Sequence, residues 1–170
     1  WAVSYLLLGV YQKNEAVKIG KEIAKKRGHD VIRIDVKPSI GNLLLWKLIY
    51  ETEDEFYIDA IRLGWNPKVF KGESIDKINT QTAFPWLVLK SQQAIDIERF
   101  RWFSNGYIAI NPKNKNQILD IRYSAIPNQI GGLWGIELSE EKPNNHHVRY
   151  ITNRTISSDR LKIIKEMLFY

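Results

Sequence analysis

The sequence predicts an α+β fold: a curved, mostly antiparallel sheet of about six or seven strands, with helices at both ends and one in the middle. Short segments of alternating apolar and polar residues follow one another closely along the chain. Most connections between them are short and carry turn-forming residues, so consecutive strands are expected to pair as antiparallel hairpins. Segments with helical periodicity flank this region and interrupt it once, as is typical of helices packed on one face of such a sheet.

The first elements are a helix and a strand. Residues 14–27 have an apolar stripe at helical spacing with lysines opposite, and Gly28 predicts where that helix ends. Residues 31–36 alternate as a strand that ends at Pro38. Residues 39–42 have the composition of a turn.

A hairpin and a long connection come next. Residues 43–51 and 55–63 are rich in Leu, Ile, Tyr and Phe, and an acidic loop separates them. This pattern predicts two paired strands. Residues 65–82 are mostly polar and contain Pro67 and Gly72, so we expect a long surface loop there.

The second half of the chain predicts one helix, further hairpins and a terminal helix. Apolar residues within 84–100 favour a helix that ends near Phe100, with Pro85 in its first turn. The alternating segments that predict strands are residues 102–110, 118–123, 133–138 and 147–152. Ser157 or Ser158 is expected to cap the last helix.

The first residues indicate a membrane-proximal segment. Residues 1–11 are apolar and uncharged, and lysines follow them closely. We interpret residues 1–11 as the end of a truncated transmembrane helix and residues 12–170 as a single soluble C-terminal domain. Basic residues beside a membrane helix slightly favour the cytoplasmic side. The alternative is an ordinary first helix whose apolar start belongs to the core.

Composition limits the chemistry. The 170 residues contain no Cys and only three His, which excludes disulfides, thiolate metal sites and Cys nucleophiles, and disfavours a centre built from several His ligands. The net charge of +6 makes nucleic acid or acidic lipid headgroups conceivable partners. Nucleic acid is disfavoured, because the aromatic residues lie within apolar strand patterns and do not alternate with basic residues on one face.

A series of short motifs resembles a known family. In order, the motifs are Lys-Pro-Ser-Ile-Gly-Asn (37–42), Leu-Leu-Trp (44–46), Phe-Arg-Trp-Phe-Ser-Asn-Gly-Tyr (100–107), Asp-Ile-Arg-Tyr (120–123) and Leu-Trp-Gly-Ile-Glu-Leu (133–138). With the Tyr-Leu-Leu-Leu-Gly opening (5–9), they resemble the C-terminal part of the membrane-bound metal-dependent hydrolases, which are predicted bacterial inner-membrane proteins. The resemblance covers nearly the whole chain and depends on the order and spacing of the motifs.

The resemblance implies a multi-pass membrane parent whose His and Asp metal ligands lie in its N-terminal membrane portion. None of those ligand motifs is present here. We therefore expect a divalent metal in the parent and no cofactor or metal ligand in this chain. The expected partners are the parent's own N-terminal membrane domain and the nearby lipid bilayer.

Seven residues are candidates for binding a small anionic ligand. Asn42 and Trp46 flank the start of the predicted hairpin, where they would line a pocket or instead form a turn and part of the core. The others are an arginine–aromatic set with a nearby carboxylate: Arg62, Arg101, Trp102, Asp120 and Arg122. Three converging guanidinium groups would make an anion site, whereas separate carboxylate partners, such as Asp120 with Arg101, would make each arginine a structural tie.

Two adjacent histidines are weaker candidates. His146 and His147 follow Pro-Asn-Asn, which indicates an exposed loop. Neighbours in a strand point to opposite faces, so the two rings are not expected to chelate one ion.

Three functions remain open from the sequence. The first is an accessory domain of a membrane hydrolase that binds substrate, regulates access or mediates assembly. The second is a stand-alone hydrolytic domain with an Arg/Asp site on the sheet. The third is a basic module that binds nucleic acid or anionic lipid. Whether the isolated chain is an enzyme is left undecided, although the first function places catalysis outside it.

Overall fold

The computed structural model describes residues 2–39, 42–153 and 157–170. Within them, four helices and nine strands follow in the order α1 (Ala2–Lys26), β1 (Arg33–Pro38), β2 (Leu45–Glu51), β3 (Glu55–Arg62), β4 (Lys68–Phe70), β5 (Ser74–Asp76), α2 (Thr80–Ala83), α3 (Gln92–Phe103), β6 (Ile108–Asn111), β7 (Asn114–Asp120), β8 (Trp134–Glu137), β9 (Arg149–Thr152) and α4 (Ser158–Phe169). All strand pairs are antiparallel. The predicted α+β class, with antiparallel pairing and helices at both ends and in the middle, is confirmed.

The strands are divided over two sheets, and each sheet belongs to its own compact unit. Unit 1 contains residues 2–39, 42–76, 126–130 and 157–170, with β1 to β5. Unit 2 contains residues 77–125 and 131–153, with β6 to β9. The alternation within a strand specifies its buried face but not the sheet that it joins, so the sequence pattern does not reveal this division.

The five-stranded sheet of unit 1 is built around the predicted hairpin. β2 and β3 pair with Trp46 opposite Ile61 and Tyr50 opposite Tyr57, and every residue of β2 is buried. β1 forms an edge of this sheet and ends at Pro38, which has no N–H to donate and is tolerated there. The turn predicted at residues 39–42 falls partly outside the described residues, because residues 40 and 41 are not among them.

Helix α1 packs on this sheet through small residues. Ala16 and Ala24 are fully buried, and Gly20 lies between them on the same face. A Cβ on Gly20 would lie 2.6 Å from Leu48 Cδ1 and 2.7 Å from Ile34 Cδ1, so the helix approaches the sheet closely there. The helix begins twelve residues earlier than predicted, because the apolar residues before residue 14 are helical too, although they do not alternate with polar residues.

The ends of the two long helices in unit 1 have the expected chemistry. Gly28 has φ of 72° and follows α1, as predicted for a helix C-terminus. Ser157 is the N-cap of α4, and its side chain accepts a hydrogen bond from the N–H of Arg160. Met167 of α4 packs with Leu45 in a second apolar cluster.

The long loop predicted at residues 65–82 is wrong in part. It contains β4 and β5, which both pair with β3, and the single turn of α2. Each of these strands has three residues, too few to show a period of two in the sequence.

Unit 2 packs α3 on its four-stranded sheet. Phe84, Ile97, Phe100, Ile108 and Ile118 are buried together. The predicted strands of this unit are present in shorter or shifted form.

Helix α3 begins and ends later than predicted. Ser91 is its N-cap and accepts the N–H of Ala94, so Pro85 lies before the helix and not in its first turn. Asn105 and Gly106 have φ of 50° and 76° and follow its end. Trp102 and Phe103, predicted to begin a strand, are therefore helical.

Candidate functional site

Residues 3–11 of α1, called here the apolar half of α1, are largely exposed to solvent. Seven large apolar side chains in it are exposed: Val3, Tyr5, Leu6, Leu7, Leu8, Val10 and Tyr11. Leu6 and Leu7 are 67% and 65% exposed. Successive helical residues point about 100° apart, so Leu6, Leu7 and Leu8 together make the helix apolar on every side. A helix that is apolar all round is typical of buried or membrane surroundings.

Basic residues follow directly. The first charged residue of the chain is Lys13. Beyond it the exposed lysines of α1 are Lys18, Lys21, Lys25 and Lys26. Within the described part of the chain, no helix is both long enough and apolar enough to span a membrane.

A buried polar network fastens the end of α1 to the hairpin. Arg27 Nη1 and Nη2 donate to the two carboxylate oxygens of Asp59 at 2.6 and 3.0 Å, and Nη1 also lies 3.0 Å from the Tyr50 hydroxyl. Asp59 is 1% exposed and accepts the Gly72 N–H at 2.9 Å. Hydrogen bonding to Asp59 raises the pKa of Arg27, and burial raises the pKa of Tyr50. The sequence does not predict this network, because nothing in the spacing of its members marks them as partners.

An aromatic stack completes the network. The rings of Tyr50 and Tyr57 are stacked at 5.0 Å, and the imidazole of His29 lies 4.2 Å from the ring of Tyr57. Tyr57 donates a short hydrogen bond to Glu55, and this bond raises the pKa of Tyr57 to about 12. His29 Nδ1 is 2.9 Å from the Tyr50 hydroxyl. The imidazole is thus held by both tyrosines.

A groove lies beside this network, and we call it the helix-end groove. Its volume is about 520 Å³. The residues that line it are Lys21, Lys25, Gly28, His29, Asp30, Val31, Ile32, Arg33 and Ile34. It is a concave, cationic surface in unit 1.

Asn42 and Trp46 have local structural roles. Asn42 Oδ1 accepts the N–H groups of Leu44 and Leu45 at 3.0 and 2.7 Å, which is a turn stabilised by its own side chain. Trp46 is 3% exposed, and its indole N–H donates to the Leu43 carbonyl. These contacts match the turn-and-core alternative, and a ligand-binding role for the two residues stays a prediction.

Arg62 lies in unit 1 and contacts the end of α4. Its Nη1 donates to the carbonyls of Met167 and Leu168 at 3.5 and 3.3 Å. Carbonyls in the last turn of a helix have no partner inside the helix, so a guanidinium there stabilises the helix end.

Arg101 and Trp102 lie in the last turn of α3 in unit 2. Arg101 pairs with Glu98 at 3.2 Å and donates to the Thr80 hydroxyl at 3.1 Å. Trp102 is 86% exposed. Trp102 borders an open groove of about 430 Å³ with Leu89, Ala94, Ile95, Glu98 and Arg99.

Asp120 and Arg122 form an ion pair with a structural role. Asp120 is fully buried, and its carboxylate accepts from Arg122 at 2.6 Å and from the Trp134 indole N–H at 3.0 Å. Arg122 also donates to the Phe103 carbonyl at 3.0 Å. The expected alternative of Asp120 paired with Arg101 is therefore wrong. Each of the three candidate arginines has its own partners, and an anion-binding role for them stays a prediction.

A pair formed by Asp96 and His147 in unit 2 was not predicted. His147 Nδ1 lies 2.8 Å from Asp96 Oδ2, and Asp96 also accepts from Gln92 and from the Val148 N–H. Burial acts to raise the pKa of Asp96, but these hydrogen bonds outweigh it and hold the pKa below its ordinary value. Across the described ranges, no group of three or more His, Cys, Asp or Glu side chains is placed to hold a metal ion.

Comparison with known proteins identifies no relative. No protein-family model matches the chain, and no curated protein or solved structure matches it. Function is therefore inferred from the residues described above.

Proposed function

We propose that this chain is an accessory domain of an integral membrane protein, and that the apolar half of α1 lies in the hydrocarbon of the bilayer. The observation that carries the proposal is the exposure of seven large apolar side chains around the whole circumference of one helical segment. Each Leu or Val side chain moved out of water contributes roughly 1.5–3 kcal/mol. Membrane insertion provides that burial at once for all of them.

The distribution of exposed residues favours a steep orientation of α1. A helix lying flat on the membrane would bury one face and leave the opposite face in water. Leu6, Leu7 and Leu8 point in three directions, so only a steeply inserted helix surrounds all three with hydrocarbon. Residues 3–11 extend about 12 Å along the helix axis, close to half of a hydrocarbon core that is about 30 Å thick.

The lysines fit this arrangement. Lys13 lies about 3 Å along the axis beyond Tyr11 and would meet the headgroups. The exposed lysines that follow would face the aqueous phase above an anionic surface. Because basic residues beside a membrane helix favour the cytoplasmic side, we place the domain there.

The parent that best fits this proposal is a bacterial membrane protein resembling the metal-dependent hydrolases. The resemblance of the motifs from residue 37 to residue 138 supports it. In that proposal the divalent metal and the hydrolytic step belong to the N-terminal membrane domain. This chain would bind substrate, regulate access or mediate assembly with that domain.

A hydrolytic site at Arg101, Asp120 and Arg122 has less support. The Asp120 carboxylate is fully buried and already accepts from Arg122 and Trp134, so it has little capacity to act as a general base. A nucleic-acid module has less support too, because the lysines of α1 follow an apolar segment and do not alternate with exposed aromatic rings.

Flotation with lipid vesicles tests the membrane proposal. The chain is acetylated at its amino terminus, so that no terminal charge must enter the bilayer. We expect it to float with vesicles of uncharged phosphatidylcholine, and to stay bound in high salt, because burial of apolar surface needs no lipid charge. Failure to float, or flotation that requires anionic lipid and is lost in salt, would contradict the proposal.

A parallel assay tests the accessory role. Metal content and hydrolysis of an ester and phosphoester panel are measured for the isolated chain and for the full-length parent. We expect the parent to bind metal and turn over substrate while the isolated chain does neither. Hydrolysis by the isolated chain would overturn the accessory role and favour the hydrolytic alternative.

A further inference from the structure

The helix-end groove is unusually rich in cationic and hydrogen-bond-donating side chains. Lys21, Lys25, His29 and Arg33 all line it, against a single carboxylate, that of Asp30. All of these residues belong to unit 1. A concave surface with this excess of donors attracts an anion.

The two lysines are neighbours on one face of α1. Residues four apart in a helix have Cβ atoms about 5–6 Å apart. Among the described residues, neither the Lys21 nor the Lys25 ammonium group has a hydrogen-bond or ion-pair partner, whereas Arg33 pairs with Glu51. Like charges at this spacing repel each other and destabilise the helix. An anion bound between them would remove that repulsion.

The hydrogen bonds around His29 fix which ring nitrogen carries its proton. The Tyr50 hydroxyl is fully buried, accepts from Arg27 Nη1 and lies 2.9 Å from His29 Nδ1. That hydroxyl has one proton, and donating it to Nδ1 is the arrangement that leaves no buried donor unpaired. The neutral imidazole then carries its own proton on Nε2. No described residue accepts from Nε2, so this N–H is available to a ligand.

The imidazole is held firmly in that state. Tyr50 is fixed by Arg27, which is itself held by both oxygens of the buried Asp59. The ring of Tyr57 covers the imidazole at 4.2 Å. A donor fixed in this way loses little freedom when a ligand binds, which favours affinity.

We infer that the helix-end groove binds a phosphate ester, with the phosphate held by the Lys21 and Lys25 ammonium groups and the His29 Nε2–H. A phosphate monoester carries close to two negative charges near neutral pH and has three acceptor oxygens, which matches two cations and one N–H donor. The groove, at about 520 Å³, has room for the phosphate and the group that it esterifies. The exposed apolar side chains of Val31 and Ile32 line the remainder of the groove. This inference does not depend on the membrane proposal.

Calorimetric titration of the whole chain with glycerol 3-phosphate tests the inference. We expect the Lys21→Gln/Lys25→Gln variant to bind about tenfold more weakly or worse, since two charge-assisted contacts are lost. The control is Lys13→Gln/Lys26→Gln, which makes the same charge change on the same helix outside the groove and should keep its affinity. His29→Asn keeps a polar partner for the Tyr50 hydroxyl and removes the outward N–H, and it should weaken binding several-fold.

A second experiment, with lipid vesicles, distinguishes a soluble phosphate ester from a lipid headgroup as the ligand. Phosphatidylcholine vesicles with and without phosphatidic acid are compared in the Leu7→Asp background, which weakens insertion of the apolar half. If phosphatidic acid adds binding that Lys21→Gln/Lys25→Gln removes and glycerol 3-phosphate alone does not bind, the ligand is the lipid headgroup. If glycerol 3-phosphate binds and competes, a soluble ester is accepted. Binding of neither probe, or equal losses in the groove and control variants, would overturn the inference.

Discussion

The two parts of α1 differ in their exposure to water. In residues 16–26, called here the packed half, the small residues Ala16, Gly20 and Ala24 lie against the sheet of unit 1 and are buried. In the apolar half, nearly every side chain is exposed. The backbone is one continuous helix. The packed half is amphipathic, with small apolar residues on the face toward the sheet and charged residues on the opposite face, while the apolar half is apolar on all sides. The difference shows that unit 1 buries only one part of this helix and leaves the apolar half exposed.

The largest expected effect comes from removing the Arg27 side chain, which attaches the end of α1 to the β2–β3 hairpin. Arg27→Ala leaves the Asp59 carboxylate buried without its cation, and we expect a loss of about 3–4 kcal/mol in the free energy of unfolding. Urea unfolding followed by Tyr and Trp fluorescence measures it. Lys26→Ala, at the neighbouring exposed position, should change stability by no more than about 0.5 kcal/mol. Equal effects of the two substitutions would contradict the role of the network.

The next effect concerns the apolar half, and it should leave folding intact. Leu7→Asp is expected to weaken binding to phosphatidylcholine vesicles by about two orders of magnitude, because Asp in hydrocarbon costs about 2.5–3.5 kcal/mol. Unfolding in solution should change by less than about 0.5 kcal/mol, since Leu7 packs on nothing substantial. Leu89→Asp is the matched control, at a leucine of unit 2 that is 74% exposed, and its vesicle binding should equal that of the unaltered chain.

Substitutions at two glycines, one in each half of α1, are expected to have effects of intermediate size on stability. Gly20→Val places a side chain against Leu48 and Ile34, and we expect it to cost about 1–3 kcal/mol. At Gly9 a Cβ would lie 3.8 Å from Leu43, an ordinary contact, so Gly9→Val should change stability by about 0.5 kcal/mol or less. Thermal unfolding of both variants provides the test. A Gly20→Val chain as stable as Gly9→Val would show that the packed half is not held closely.

The smallest expected effect is a loss of stability at alkaline pH. The hydrogen bond to Glu55 raises the pKa of Tyr57 to about 12, above the ordinary value of about 10. The stability linked to this group is therefore fully present below pH about 10 and is lost as the pH rises from about 10 to 12. Because the pair is partly exposed, the effect should not exceed about 1 kcal/mol. Tyr57→Phe should remove it from a pH series of urea unfolding, and an unchanged series would contradict the assignment.

Several elements were predictable because their signals are local. The β2–β3 hairpin has apolar arms on either side of an acidic loop, and Gly28 and Ser157 mark helix ends through chemistry that needs no distant partner. Helix α3 was displaced in the prediction because Pro85 and Ser91 are both plausible helix starts, and the structure has Ser91 as the N-cap.

The polar sites were much less predictable. Arg27 and Asp59 lie 32 residues apart, and Asp96 and His147 lie 51 residues apart, so only the folded chain brings them together. Asp120 and Arg122 were predicted as members of one candidate set, but their direct pairing and their contact with Trp134 were not. The helix-end groove brings Lys21 and Lys25 of α1 beside residues 28–34, and sequence periodicity does not give the path of the chain after Gly28.

The most direct test of the central claim is the depth of three consecutive leucines in a bilayer. Since the chain contains no Cys, Leu6→Cys, Leu7→Cys and Leu8→Cys can each carry one environment-sensitive fluorophore, with Lys162→Cys on α4 as the aqueous control. We predict that the fluorescence of all three labels shifts to the blue on vesicles and is quenched by spin labels in the acyl chains, while the Lys162→Cys label is unchanged. If only one or two labels respond, α1 lies flat on the surface; if none responds, the apolar half does not enter the bilayer, and the membrane proposal is wrong.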